Sequence, residues 1–214
     1  MFTHGTSITK KIDKNNPQDC LEGYLEFKEI EHNLPKECIS VFTDGSYKDS
    51  SAGAGAIIYS QHRVLHEISN PLGNQTISYA ELYAVYATLQ WIRNCYSPPI
   101  SWQPNVKRAV HIFTDSLYCQ TVLCSSFVPK KNFTLIEEIK NLASFLVQDF
   151  QFHIHRIPSH IENTSFGRLP IQGNIRADSL ASEAQRNSPQ PLNKNNITLI
   201  RDQILCQSAS LINS

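Results

Sequence analysis

From Cys38 onward the chain alternates short β-branched and aromatic runs with longer segments of helical spacing. Ile39-Ser-Val-Phe-Thr-Asp-Gly-Ser reads as a strand running into a turn, because β-branched and aromatic residues lead into a glycine. Ala54–Tyr59 and Arg63–Ile68 read as two further strands joined by a short polar stretch at Ser60-Gln61, so the three predict an antiparallel meander. Thr76–Asn94 then changes period. Leu82, Val85, Leu89 and Ile92 recur at helical spacing, with Thr76 or Ser78 available as a cap and Pro98-Pro99 forbidding continuation. Arg108–Thr114 predicts a buried strand, Ser116–Cys124 a short helix, Phe133–Gln148 a longer one, Phe150–Ile157 a fifth strand and Asn174–Arg186 a final helix. The order β-β-β-α-β-α-α-β-α implies an α/β domain. Its five-stranded mixed sheet starts as a meander, continues through β-α-β units and is covered by helices.

The flanks lack this rhythm. Residues 1–37 hold seven acidic and five basic residues with no sustained period, and read as a polar extension with one short helix near Leu21–Ile30. Residues 188–214 open with Pro189 and Pro191 and read as a tail. The expected division is therefore an extension over 1–37, a domain over 38–187 and a tail over 188–214.

Composition narrows the function classes. The 214 residues carry 19 Lys+Arg and 19 Asp+Glu, which excludes a globally basic nucleic-acid coat but allows a local basic track. No apolar run approaches the roughly 18–20 residues that span a bilayer, so no membrane partner is expected. The first eleven residues lack the apolar core of a secretory signal. Six cysteines without a CxxC pair point to reduced thiols and an intracellular protein.

Four acids sit where acids are costly. Asp44 ends the first strand on the face of Phe42, and Asp115 ends the fourth on the face of Phe113, because side chains alternate. Glu81 falls at the edge of the apolar stripe of its helix and turns toward the sheet, and Asp178 sits beside Leu180 and Ala181. Singly, each has a plain use as a turn, a cap or a helix-dipole partner. Together they would repel one another unless a cation were present, and oxygen-only ligands select a hard ion such as Mg²⁺ or Mn²⁺.

The series Thr43-Asp44-Gly45-Ser46, Ala80-Glu81-Leu82, Thr114-Asp115-Ser116 and Gly173-Asn174-x-x-Ala177-Asp178 resembles the motifs of type 1 ribonuclease H. Pro158-Ser159-His160 resembles that family's histidine loop, and the version is most similar to the domains attached to reverse transcriptases of non-LTR retroelements. The resemblance spans about residues 38–187 and implies a ribonuclease H-like fold with helices on both faces of the sheet. It further implies endonucleolytic hydrolysis of the RNA strand of RNA/DNA hybrids by two metal ions, Mg²⁺ with Mn²⁺ as substitute, leaving 5′-phosphate and 3′-hydroxyl ends. Asp44, Glu81, Asp115 and Asp178 would be the ligands, and His160 would aid proton transfer or product release. A reverse transcriptase polymerase domain in a parent polyprotein is a further implied partner.

Substrate contacts are expected from Ser46, Ser78, Lys130, Lys131 and Asn174. The sequence departs from the family where Ile77 and Ser78 stand in place of minor-groove-reading amides. Ser78 can still meet a 2′-hydroxyl, whereas Ile77 cannot. Lys107, Arg108, Arg156, Arg168 and Arg176 are further candidate phosphate contacts, while Trp91 and Trp102 are expected to pack rather than stack on bases. The alternatives are a degenerate domain that scaffolds nucleic acid or a polymerase, and another nuclease of the same broad fold. An exonuclease of that kind would carry Asp-x-Glu where this chain has Asp44-Gly45-Ser46.

Overall fold

The computed structural model describes residues 2–5, 16–96, 107–125, 129–158 and 171–189. Its elements are β1 (Phe2–His4), α1 (Pro17–His32), β2 (Ile39–Lys48), β3 (Ser51–Ser60), β4 (Arg63–Gly73), α2 (Ile77–Cys95), β5 (Arg108–Thr114), α3 (Leu117–Cys124), α4 (Phe133–Leu146), β6 (Phe150–Arg156) and α5 (Gln172–Asn187). β2, β3 and β4 form the expected meander. Its two turns, Asp49-Ser50 and Gln61-His62, hold all four residues at positive φ between 49° and 62°, the left-handed geometry that matches the twist of paired strands.

The strand order is β1-β6-β5-β2-β3-β4. β2 pairs antiparallel with β3 but parallel with β5, which pairs parallel with β6. Alternation then sorts the side chains into two cores. Val41, Ile58, Ile112 and Ile154 face α2, α3 and α4, and Leu82, Val85, Leu89 and Ile92 of α2 are all buried against them. Phe42, Ile57 and Phe113 face the other way, under α1 and α5. Helices thus cover both faces.

The sheet has six strands rather than the five expected. Phe2–His4 adds a strand parallel to β6, with Phe2 opposite Phe152 and both rings buried. Three residues are too few to show a period, and their partner lies some 150 positions away, so only the folded chain reveals this strand. α1 also exceeds the short helix expected within residues 1–37. Asn16 caps it by accepting from Gln18 N at 3.0 Å, and Pro17 occupies its first turn. Phe27 of α1 is 2% exposed and meets Phe42 and Phe113 edge-on. Most of the C-terminal tail, residues 190–214, lies outside the described residues.

α5 approaches the sheet closely because β3 offers no side chain at Gly55. A Cβ there would lie 2.3 Å from the backbone of both Ala177 and Ala181. Arg108 is not a phosphate contact. It is buried at the start of β5, the end of that strand opposite Asp115, and donates to Tyr96 Oη and, at 2.8 Å, to Ser60 Oγ. Trp91 packs as expected, stacked on His66 at 5.3 Å between ring centroids; Trp102 lies outside the described residues.

Beside Phe113 the second face carries three stacked imidazoles, His111, His153 and His155. His111 Nδ1 lies 2.8 Å from His155 Nε2, and burial, then the neighbouring His155 and His153, pushes the pKa of His111 down to about 3. The unfolded chain therefore binds a proton that the folded chain refuses. This contribution to stability is complete above about pH 6.5 and is lost as pH falls toward 3. The stability difference between the wild type and His111→Leu should shift against the wild type by about 1.4 kcal/mol per unit between pH 6 and 4. Chemical denaturation across that range measures it. A difference that stays level with pH would remove His111 from the acid response.

Candidate active site

The site forms where the parallel pairing of β2 with β5 ends. Thr43 of β2 is in register with Thr114 of β5, so the residues that follow, Asp44 and Asp115, emerge side by side. Asp44 does not end its strand as expected, because β2 runs on to Lys48 against β3. α2 approaches from one face of the sheet with Glu81 in its second turn, and α5 from the other with Asp178. Carboxyl oxygens of Asp44, Glu81 and Asp115 lie within 4.8 Å of one another. Asp178 sits against Asp44, close enough for the two carboxyls to share a hydrogen bond.

Local sequence explains each placement. Thr76 caps α2 by accepting from Tyr79 N at 3.2 Å, which starts the helix in the register that turns Glu81 inward. Gly45 allows α2 to approach, since a Cβ there would lie 2.7 Å from Glu81 N. Its N–H also donates to Asp44 Oδ1 at 2.8 Å. Ser116, rather than Asp115, caps α3, accepting from Cys119 N at 3.2 Å. Asp115 therefore serves the cluster instead of the helix.

Burial and like charge act in the same direction here. Asp44 is 7% exposed, and its pKa is pushed up to about 8 by burial, then by the charges of Asp115 and Asp178, against the lowering effect of the Gly45 N–H. Glu81, 8% exposed, is held well above the usual carboxylate range by burial, then by Asp44 and Asp115. Its Oε2 is buried with no hydrogen-bond partner. An all-oxygen donor set with an unsatisfied buried oxygen and excess negative charge fits a hard divalent cation.

The remaining candidates divide. Ser46 is half-buried, 3.5 Å from Ser182 Oγ, and Ser78 is half-buried one turn before Glu81. Lys130 and Lys131 are exposed just ahead of α4, where Tyr118 Oη donates to the Lys131 carbonyl at 3.1 Å. Asn174 is buried in the first turn of α5, its Oδ1 without a partner. Arg176 is tied to Glu67 rather than left for phosphate. His160 and Arg168 lie outside the described residues. The acids stand clear of a cavity of about 830 Å³ between α1 and the sheet, lined by Phe27, Phe42, Phe113 and Tyr59. Cavity volume does not mark this site; converging charge does. Sequence reading missed Gly45 as the spacer for α2 and Glu67 as the partner of Arg176. The first was signalled by the glycine that follows Asp44, whereas nothing in the sequence signalled the second.

The RNase H family model matches residues 36–186, and the chain belongs to that family of ribonucleases. No curated protein sequence matches it significantly. Among solved structures, it is similar to the N-terminal RNase H domain of a Mycobacterium tuberculosis protein, with 20% identity and a TM-score of 0.51 over 69% of this chain and 98% of that one. A compost-metagenome RNase H1 in complex with an RNA/DNA hybrid is similar over 70% of this chain and 97% of its own, at 23% identity and a TM-score of 0.50. A foamy viral protease–reverse transcriptase in complex with RNA/DNA hybrid matches at 23% identity and a TM-score of 0.54, over 72% of this chain but 21% of the viral one. No helix among the described residues is long and apolar enough to cross a membrane.

The raised pKa of Asp44 gives a testable sign. In metal-free protein the folded state holds a proton that the unfolded state releases above about pH 4, so stability falls as pH rises from about 4 to 8. In chelator, Asp44→Asn should therefore melt several degrees above the wild type at pH 8.5 and close to it at pH 4.5. Thermal unfolding at the two pH values decides; an equal offset at both would disconnect Asp44 from the repulsion.

Proposed function

We propose that this chain cuts the RNA strand of RNA/DNA hybrids endonucleolytically, leaving 5′-phosphate and 3′-hydroxyl ends. The observation that carries the reading is the convergence of Asp44, Glu81 and Asp115, with Asp178 against Asp44, where the pairing of β2 with β5 ends. Those four residues would hold two Mg²⁺ ions, with Mn²⁺ as substitute. Ions so held supply activation of the attacking water and neutralisation of charge at the scissile phosphate.

The chain's own groups do the rest. Gly45 keeps α2 close, so Glu81 and Asp115 reach the same position from different elements. Ser46 and Ser78 flank the acids, and Ser78 can exchange a hydrogen bond with a 2′-hydroxyl, the group that separates RNA from DNA. Lys130 and Lys131, exposed in one loop, contact the DNA strand's phosphates in this reading. Asn174, buried in the first turn of α5, keeps an unpartnered Oδ1 that can accept a hydrogen bond from the substrate. His160, in the stretch between β6 and α5, moves a proton or speeds product departure.

The likeness to solved hybrid complexes supports the substrate class. The motif series further supports descent from the reverse transcriptase of a non-LTR retroelement, with a polymerase domain as partner and residues 38–187 as the hydrolytic unit. An intracellular site of action follows, since such hybrids form where nucleic acid is copied. A degenerate scaffold is disfavoured, because a site that bound no cation would have no reason to keep the repulsion of four acids.

Incubation with a labelled RNA/DNA hybrid, with and without Mg²⁺, tests the reading. Cleavage should need Mg²⁺ and spare duplex DNA; cutting of duplex DNA at a similar rate would overturn the hybrid assignment. Asp115→Asn should abolish turnover while hybrid binding persists, since Asn keeps the shape but not the charge. His160→Ala should slow steady-state turnover by up to about 10²–10⁴-fold without abolishing it. Comparing single-turnover with steady-state rates shows whether the loss lies in chemistry or in release.

A further inference from the structure

Asp178 must meet Asp44 from a helix that begins without help. The N-cap position of α5 is Ile171, which offers no side-chain cap, and its first turn holds no acid. Two attachments to β4 bracket Asp178 instead. Two residues before it, Arg176 donates to both carboxylate oxygens of Glu67, Nε to Oε1 at 2.8 Å and Nη2 to Oε2 at 2.5 Å. Two residues after it, the Leu180 carbonyl accepts from Ser69 Oγ at 3.0 Å. Glu67 and Ser69 are alternate residues of β4 and share one face.

Helical geometry gives these contacts their meaning. At about 100° per residue, Asp178 lies roughly 200° around α5 from Arg176, on the opposite side of the axis. Pinning Arg176 to β4 therefore sets the rotation that swings Asp178 toward Asp44. A point contact would not suffice, but a guanidinium gripping a carboxylate through two parallel bonds resists twisting.

We propose that the Glu67–Arg176 pair is a positioning device that fixes the rotation of α5 and so the approach of Asp178 to the metal site. The inference rests on the carboxylates being a cation site, as proposed above. Both side chains are more than a third exposed, so the pair adds little to global stability and acts through direction.

The test uses the full chain with Glu67→Gln, Arg176→Gln, the double variant and the exchanged pair Glu67→Arg/Arg176→Glu. Mn²⁺ binding without nucleic acid, read by electron paramagnetic resonance of the free ion, is followed beside thermal melting and hybrid kcat and KM. Each single variant should bind Mn²⁺ about 3- to 30-fold more weakly, with a melting temperature near that of the wild type and an unchanged KM for hybrid. The double variant should be no worse than either single one, and the exchanged pair should recover most of the affinity. Wild-type affinity in both single variants would overturn the proposal. So would a raised KM in Arg176→Gln alone, which would return Arg176 to the phosphate contacts. A wild type that binds Mn²⁺ but leaves the hybrid intact would instead defeat the functional reading, while the Mn²⁺ comparison would still judge the pair.

Discussion

Three carboxylates held within 4.8 Å of one another, with a fourth against one of them, are the constraint around which this molecule is built. Left to themselves they would separate, and burial makes their repulsion stronger than it would be in water. The fold prevents separation by taking each acid from a different element. β2 and β5 are locked in parallel register, α2 is pressed onto Gly45, and α5 is seated on Gly55. None of these elements can retreat without opening a core. A cation that neutralises the cluster thus satisfies a strain that the packing maintains.

The additions at the amino-terminal end stabilise the sheet without touching the cluster. β1 extends the parallel edge beyond β6, and α1 covers Phe42 and Phe113 on the face it shares with α5. The stacked histidines lie on that same face, where burial pushes the pKa values of His111 and His153 down. Acid response of the scaffold and charge at the site are therefore set by separate groups, one depressed in pKa and the other raised.

The similar solved structures share 19–23% of their residues with this chain yet have the same overall fold. Such divergence is tolerated because apolar positions need only volume and parity, whereas the acids need placement. In this chain the aromatic cluster of Phe27, Phe42 and Phe113 packs α1 onto the sheet, and the Glu67–Arg176 bridge ties α5 to β4.

The chain itself disclosed the meander, the helical stripe of Leu82, Val85, Leu89 and Ile92, and the four acids, because each is carried by local spacing or by a short motif. Thr76 against Ser78 as the cap, and Ser116 against Asp115, needed hydrogen-bond geometry to decide. β1 stayed hidden because three residues have no period, and its stability comes from a strand some 150 positions distant. Arg108 and Arg176 read alike as free cations, yet one is buried against Tyr96 and Ser60 and the other grips Glu67. Local spacing records which face a side chain takes. Partners far apart in sequence are chosen only when the sheet brings their strands and helices together.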